Sequence, residues 1–390
     1  MGGLGAVDGA TSLVSALVSA VRDDPLLAIV AAVGLVVLLG IGAWLLRRYL
    51  RTRGEEFESV LAAHEAVSVL MHPDPDPDAM SCALAVRRLA ESVDTEATIY
   101  YAGEIRHHEN RAFETVLNVD FEQIEHAHEA TDKPVVLVDH NEPRGVPGAE
   151  KIDPIAVVDH HPGDGTGSDL TDVRPDAGAC ASIMSEYFQQ LGWVPGEAED
   201  EQERPAISAD VTTGLIYGIM SDTANLTKSC SEAEFRAASF LYSGVDQDKL
   251  DRIANPDIDE ETLGVKARAF DEREVRNAFA VSDVGAVSNV DAVPQAADEL
   301  LRLEGINAVV VLAEKDGTVH LKGRSRDDRI HMGNTLQAAI DDIPMAGAGG
   351  HPRMGGGQLS LDHMKGLGPK DGVGREQLHE RLFEAMNGEL

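Results

Sequence analysis

Positive charge is scarce in this sequence. Lys and Arg total 33 of 390 residues, against 67 Asp and Glu, for a formal net charge of −34. Duplex nucleic acid is gripped by a basic stripe. None is visible, so duplex DNA and RNA are excluded as partners, and any nucleotide ligand is small and held locally. The acid is spread over the chain rather than gathered in a tail. A cytoplasm of very high salt explains it: at molar salt the Debye length falls to roughly 3 Å, self-repulsion is screened and an acidic surface keeps the protein soluble. The composition therefore points to a halophile of the haloarchaeal kind. Cysteine is also rare. Cys82, Cys180 and Cys230 are isolated, which excludes a disulfide framework and a cysteine metal site. Aromatic residues make up 4%, too few for a long channel in which bases stack on rings.

What is present begins with an apolar run, Leu26 to Leu46, that carries no charge. About 20 apolar residues suffice to cross a bilayer as a helix. Trp44 lies near one end, and Arg47, Arg48, Arg51 and Arg53 follow. The positive-inside rule places the bulk of the chain in the cytoplasm. The run is longer than a signal-peptide core, and its positive cluster lies behind it. The expectation is a single-pass membrane protein: an extracytoplasmic segment at 1–25, a transmembrane helix at 26–46 and cytoplasmic catalytic domains.

From 55 to 245 strand-like and helix-like patterns alternate. Val67–Met71, Ala97–Tyr101, Val135–Val138 and Ile155–Val158 read as strands, while Ala79–Val93 and Ile207–Met220 read as helices. Such alternation predicts an α/β domain with a parallel sheet. Residues 246–261 read as a linker. A smaller α/β domain with a mixed sheet is expected over 262–390, with Lys315-Asp316-Gly317 turning a hairpin and a glycine-rich stretch over Gly347–Gly357.

Four acidic clusters carry the chemistry. They are His72-Pro-Asp-Pro-Asp76-Pro-Asp78, Asp139-His140, Asp159-His160-His161, and Asp222. Each has a plain structural alternative: Asp76 before Pro77 suits a helix N-cap, and Asp139, Asp159 and Asp222 suit loops and helix ends. Taken together, three clusters follow strands at their carboxyl ends, the edge where open α/β sheets bind ligands. Histidine beside aspartate is ligand chemistry rather than capping chemistry.

The set resembles the DHH phosphoesterase family. The first cluster is similar to its H-x-x-x-D-x-D motif, and the third is literally Asp-His-His. Gly349-Gly350-His351 with Gly355-Gly356-Gly357, and the pair Arg324-Ser325, resemble the DHH-associated domain. The sequence departs from the family at Met80-Ser81-Cys82, His140 and Arg353-Met354, which leaves substrate identity open. The resemblance implies two divalent metals, Mn2+ first among candidates. His72, Asp76 and Asp139 would hold one; Asp78, Asp139, His160 and Asp222 would hold the other. It implies a shared hydroxide attacking phosphorus, with Asp159, His160 and His161 catalytic. Arg324, Ser325, Gly349, Gly350 and His351 would bind the substrate.

The expected function is hydrolysis of cyclic dinucleotides such as cyclic di-AMP, or of short oligonucleotides and pApA. Alternatives are a nanoRNase or phosphoadenosine phosphate phosphatase, a RecJ-type exonuclease, a pyrophosphatase, and a non-catalytic membrane nucleotide sensor. A homodimer is also consistent with the family. Asp74, His107, His108, His126, His128, His140 and His363 read as structural or solvated, with His140 a candidate partner of a metal ligand.

Overall fold

A computed structural model describes residues 29–30, 33–34, 36–42, 50–105, 107–196, 204–327, 329–364 and 373–390. The segment expected at 1–25 lies outside the described residues, and the run Leu26 to Leu46 lies only partly within them, in short helical pieces. Among the described residues no helix is long and apolar enough to cross a membrane. A span needs about 20 residues of continuous apolar helix, and the described pieces are shorter. This overturns the expected single-pass membrane placement.

The chain forms two compact units; among the described residues the second comprises 255–390 together with 107–111, and the remainder belongs to the first. In the first, α1 (Arg53–Leu61) leads into β1 (Ala66–Leu70), α2 (Pro77–Ser92), β2 (Glu96–Tyr101), α3 (His108–Leu117), β3 (Glu122–Gln123), β4 (Val135–Val138), β5 (Ala156–Asp159) and β6 (Leu170–Val173). Then come α4 (Cys180–Gln190), the short parallel pair β7 (Val194–Pro195) and β8 (Ala206–Ile207), α5 (Ala209–Asp222), α6 (Glu232–Leu241) and α7 (Gln247–Ala254). The stretch read as a linker at 246–261 thus holds a helix, and its Ile253 is buried in the first unit's core.

The main sheet is parallel throughout, in the order β3-β2-β1-β4-β5-β6. Its central strands are apolar runs with no alternation because both faces are covered, one by the helices and the other by loops and the short 3-10 turns at Ala127–Glu129 and Ala149–Lys151. All four residues of β4 and of β5 are buried. The order reverses between β1 and β4, the switch point where such sheets open a crevice at their carboxyl ends. His72 follows β1 and Asp139 follows β4, so both sit at that crevice.

The second unit contains α8 (Glu260–Asp271), β9 (Arg273–Arg276), β10 (Phe279–Ala286), α9 (Ala292–Leu301), β11 (Ala308–Lys315), β12 (Thr318–Ser325), α10 (Met332–Ile340), β13 (Gly347–Gly350), β14 (Met354–Ser360), α11 (Leu361–Met364) and α12 (Arg375–Asn387). Its sheet runs β13-β14-β12-β11-β10-β9. Only β10 and β11 pair in parallel; the other pairs are antiparallel. The β11–β12 hairpin turns on Asp316 and Gly317, both with positive φ, as a tight two-residue turn requires. Two apolar clusters pack on its opposite faces, one with α8 and α9, the other with α10 and α12.

Candidate metal centre

Each acidic side chain reaches the crevice by a local device. Asp76 caps α2: its Oδ1 accepts the N–H groups of Asp78 and Ala79 at 3.1 and 3.0 Å. Pro77 at the first helical position fits because its missing N–H would be unpaired anyway. Asp76 is therefore both cap and candidate ligand, since Oδ2 faces His72 Nε2 at 3.7 Å. Asp78, in the first turn, is fully buried. It accepts the N–H groups of Cys180 and Ala181 at 2.6 and 2.8 Å. Helix α4 has no side-chain cap of its own on Ala179; Asp78, from another helix, meets its free N–H groups and its positive dipole end.

Asp139 leaves β4 in the left-handed region, at φ 60°. Aspartate is one of the few non-glycine residues that visits this region routinely. The turn aims its carboxylate between two imidazoles: Oδ1 lies 3.3 Å from His160 Nε2 and Oδ2 lies 3.4 Å from His72 Nε2. Both histidines are oriented from behind. His72 Nδ1 pairs with the Pro73 carbonyl at 2.9 Å, and His160 Nδ1 with the Ala177 carbonyl at 3.2 Å. With Nδ1 donating, Nε2 is the atom presented to the crevice. Asp222, the last residue of α5, places Oδ2 3.3 Å from His160 Nε2. The chain then turns sharply through Ala224, Asn225 and Leu226 at φ 47°, 58° and 60°, at a cost of roughly 1–2 kcal/mol each for Ala224 and Leu226.

The structure thus brings His72, Asp76, Asp78, Asp139, His160 and Asp222 together. The donor atoms of His72, Asp76 and Asp139 lie within 4.8 Å of one another, and so do those of Asp78, His160 and Asp222. A third set, Asp139, His160 and His161, meets the same limit. Asp159 behaves differently. Its Oδ1 accepts from His160 N at 2.8 Å and pairs with His161 Nδ1 at 2.9 Å, so it orients the histidines rather than facing the crevice. His161 is half-exposed. His140 is buried with Nδ1 on the Val138 carbonyl at 2.9 Å, its ring edge-on to His72.

Electrostatics follow from this crowding. Burial alone would lower the pKa of His72, but Asp139 and Asp76 outweigh it and raise it to about 11. Burial likewise opposes His160, yet Asp139, Asp222 and Asp78 push it up to about 12. Burial would raise Asp139, but His160 and His72 hold it down at about 2. Asp78 is pushed well above the usual carboxylate range by burial and by the charges of Asp139 and Asp222. Burial of His140, with the charges of His72 and Arg144 adding to it, outweighs the Val138 carbonyl and Asp139 and lowers its pKa to about 4.

A divalent cation fits this donor set. Both oxygens of Asp139, and Nε2 of His160, are buried with no hydrogen-bond partner. Such groups are rare in folded proteins and call for a cause, a bound ion among them. Donors about 2.0–2.2 Å from one ion sit roughly 3–4 Å apart, which is the spacing found here. A cation also replaces the protons that the carboxylates otherwise force onto the two imidazoles.

The other predicted residues lie in the second unit. Arg324 and Ser325 end β12, and Gly349 and Gly350 end β13, with His351 next. Strand β14 joins them, pairing Met354 with Arg324 and Gly355 with Gly350. Arg324 is gripped by Asp298, Nε to Oδ1 at 2.6 Å. Ser325 is buried, and its hydroxyl accepts the Asp327 N–H at 3.0 Å. Gly349, Gly350 and His351 are exposed.

Residues 66–219 match the DHH family, N-terminal domain, and residues 276–367 match the DHHA1 domain. The chain carries a DHH domain followed by a DHHA1 domain. An uncharacterised protein of Methanocaldococcus jannaschii is 31% identical over 323 residues, covering 82% of this chain and 63% of that protein. The cyclic-di-AMP phosphodiesterase GdpP of Geobacillus thermodenitrificans is 25% identical over 360 residues, 87% of this chain and 50% of that protein. A probable manganese-dependent inorganic pyrophosphatase of Exiguobacterium is 26% identical over 240 residues, 58% of this chain and 72% of that protein. The chain thus spans 63% and 50% of the lengths of the first two relatives. Among solved structures, an exopolyphosphatase-related protein of Bacteroides fragilis matches at a TM-score of 0.60 with 14% identity, over 86% of this chain and 95% of that one. That likeness concerns the fold of the DHH–DHHA1 chain alone.

Sequence reasoning missed the second layer around the DHH site. The Ala177 carbonyl, the Cys180 and Ala181 N–H groups and Glu234 all bear on ligand candidates. Only Glu234 left a local trace, as the fourth residue of a Ser-x-x-Glu capping box beginning at Ser231.

Proposed function

We propose that this chain is a two-metal phosphodiesterase for small nucleotides, with cyclic dinucleotides such as cyclic di-AMP and short products such as pApA as substrates. The observation that carries the reading is the buried, unpartnered trio of Asp139 Oδ1, Asp139 Oδ2 and His160 Nε2. Similarity to a cyclic-di-AMP phosphodiesterase over 87% of the chain supports the substrate class, and similarity to a manganese-dependent pyrophosphatase supports Mn2+.

In this reading His72, Asp76 and Asp139 hold one ion, and Asp78, Asp139, His160 and Asp222 hold the other, with Asp139 shared. Bound there, two divalent cations would supply positive charge against phosphoryl oxygens and make water nucleophilic at neutral pH. Asp159 fixes the His161 ring through Nδ1 and so leaves Nε2 to donate to a phosphoryl oxygen. That hydrogen bond raises the His161 pKa, with burial opposing it, which favours the donating form. In the second unit, Arg324 and His351 supply cationic and donor groups, and the Gly349–Gly350 backbone allows a ligand to approach without side-chain obstruction. Ser325 shapes the strand end from within.

The test is calorimetric titration of the metal-free full chain with Mn2+, followed by turnover assays on cyclic di-AMP, pApA, phosphoadenosine phosphate and pyrophosphate. Two-site uptake with dinucleotide hydrolysis is expected. Absence of Mn2+ uptake, or cleavage of pyrophosphate alone, would overturn the proposal.

A further inference from the structure

The segment Ala177–Ala181 touches two different ligand candidates. The Ala177 carbonyl holds His160 Nδ1 at 3.2 Å. Three residues on, the Cys180 and Ala181 N–H groups hold Asp78. Between them, the Gly178 N–H donates to Glu234 Oε1 at 2.9 Å. Glu234 is fully buried. Its other oxygen, Oε2, accepts from Ser231 N at 2.6 Å and from the Ser231 hydroxyl at 2.8 Å. Ser231 ends the loop that follows Asp222 and contains the left-handed residues Ala224–Leu226 and Ser229. One carboxylate therefore ties the strand of chain behind His160 and Asp78 to the loop behind Asp222.

The packing at this junction leaves no slack. A Cβ on Gly178 would lie 2.2 Å from the Ser229 carbonyl oxygen, so the two segments are in backbone contact there. Thr223, also fully buried, pins the other end of the turn, its hydroxyl accepting from Leu226 N at 2.9 Å. A capping box alone needs only the contacts between Glu234 and Ser231. The Gly178 bond, across 56 residues of sequence, is additional to the cap, and a buried carboxylate is retained only where its charge is well met. Here three donors meet it.

We propose that Glu234 is a positioning residue, a buried clasp that keeps His160, Asp78 and Asp222 in mutual register by joining the Ala177–Ala181 segment to the 223–231 turn. The role rests on reading those three side chains as ligands of one ion. Outer partners of this sort affect metal affinity by about 10–100-fold.

The experiment compares Glu234→Gln, Glu234→Ala and Ser231→Ala in the full chain, by Mn2+ titration calorimetry and Mn2+ electron paramagnetic resonance on metal-stripped protein. Both Glu234 variants should weaken one of the two sites about tenfold or more and leave the other at its original affinity. Ser231→Ala removes the α6 cap and one of the three donors but keeps the Gly178 and Ser231 N–H bonds to Glu234, so it should lower thermal stability and weaken that site by less than either Glu234 variant. Should Glu234→Ala fail to fold, the near-isosteric Gln variant and Ser231→Ala still decide the matter. Unchanged binding at both sites in Glu234→Gln, or equal weakening by Ser231→Ala, would overturn the clasp while leaving the two-metal reading intact. A wild-type chain that takes up no Mn2+ would sink both.

Discussion

The first unit buries Asp78, Asp139 and Asp159 at the end of a parallel sheet, whereas the second leaves Gly349, Gly350 and His351 exposed at the edge of a mixed one. The first is held in a tense electrostatic state: like charges crowd together, and two histidines are driven to take up protons. The second holds no comparable charge cluster among the described residues; its contribution is an open backbone with a few donors. Burial amplifies electrostatics by excluding water, so the first unit suits bond-making chemistry. Exposure and small residues give a ligand access, so the second suits recognition.

Five changes would break or sharpen this contrast. The largest effect should come from Asp139→Asn, which removes the shared carboxylate but tolerates the left-handed backbone. Hydrolysis should fall by more than about 100-fold, beyond the loss usual for an outer partner. The metal-free protein should still fold but melt lower than wild type, because the attraction of His160 and His72 that holds Asp139 ionised at about 2 is lost. A collapse of the apo fold, seen by circular dichroism, would contradict this view.

Second in size is metal removal. Mn2+ at about 100 times its Kd should stabilise the first unit by roughly 2.7 kcal/mol for each site it fills. Hydrogen exchange with and without chelator should show the protection confined to amides around β1, β4, β5 and α5. Equal protection in β12 to β14 would erase the division of labour.

His351→Ala, third, should raise KM for a dinucleotide about tenfold, or roughly 1.4 kcal/mol, with Mn2+ affinity unchanged. Gly350→Ala belongs with it: at φ 142°, with a Cβ 2.4 Å from the Met354 carbonyl oxygen, it should destabilise the second unit by about 1–3 kcal/mol.

The smallest effect concerns acid. Burial alone would raise the pKa of Asp172, but Arg174 and Tyr187 outweigh it and hold the carboxyl below its usual range. A depressed carboxylate stabilises the fold above its unfolded pKa, and that contribution disappears as pH falls through the folded value. Asp172→Asn should therefore flatten the acid limb of the stability curve in denaturant melts. A parallel shift of the whole curve would show that the ion pair has no such part.

Much of the architecture could be read from the chain because buried parallel strands are written as short apolar runs. Val135–Val138 ends in Asp139, and the run reaching Val158 ends in Asp159, so the sheet's carboxyl edge declared itself. The hairpin at Asp316-Gly317 was equally plain from its turn residues. What stayed hidden depends on distant pairing. Asp78 reads as a residue in a first helical turn, and its bonds to Cys180 and Ala181 span more than 100 positions. The left-handed run Ala224–Leu226 contains no glycine to betray it. Glu234 reads as half of a local cap. The apolar run at 26–46 shows the converse, a strong local pattern that the described helices do not bear out as a span.

The left-handed turn at Asp139 has a consequence for how such a protein can change over generations. Few residues accept that backbone comfortably, and among them only aspartate also offers two anionic oxygens in opposite directions. Asparagine is the neighbour reached with least disturbance, and it keeps the shape while abolishing the anion. A lineage released from selection for catalysis should therefore drift to asparagine there first, leaving an intact scaffold free to take up a duty that needs no chemistry.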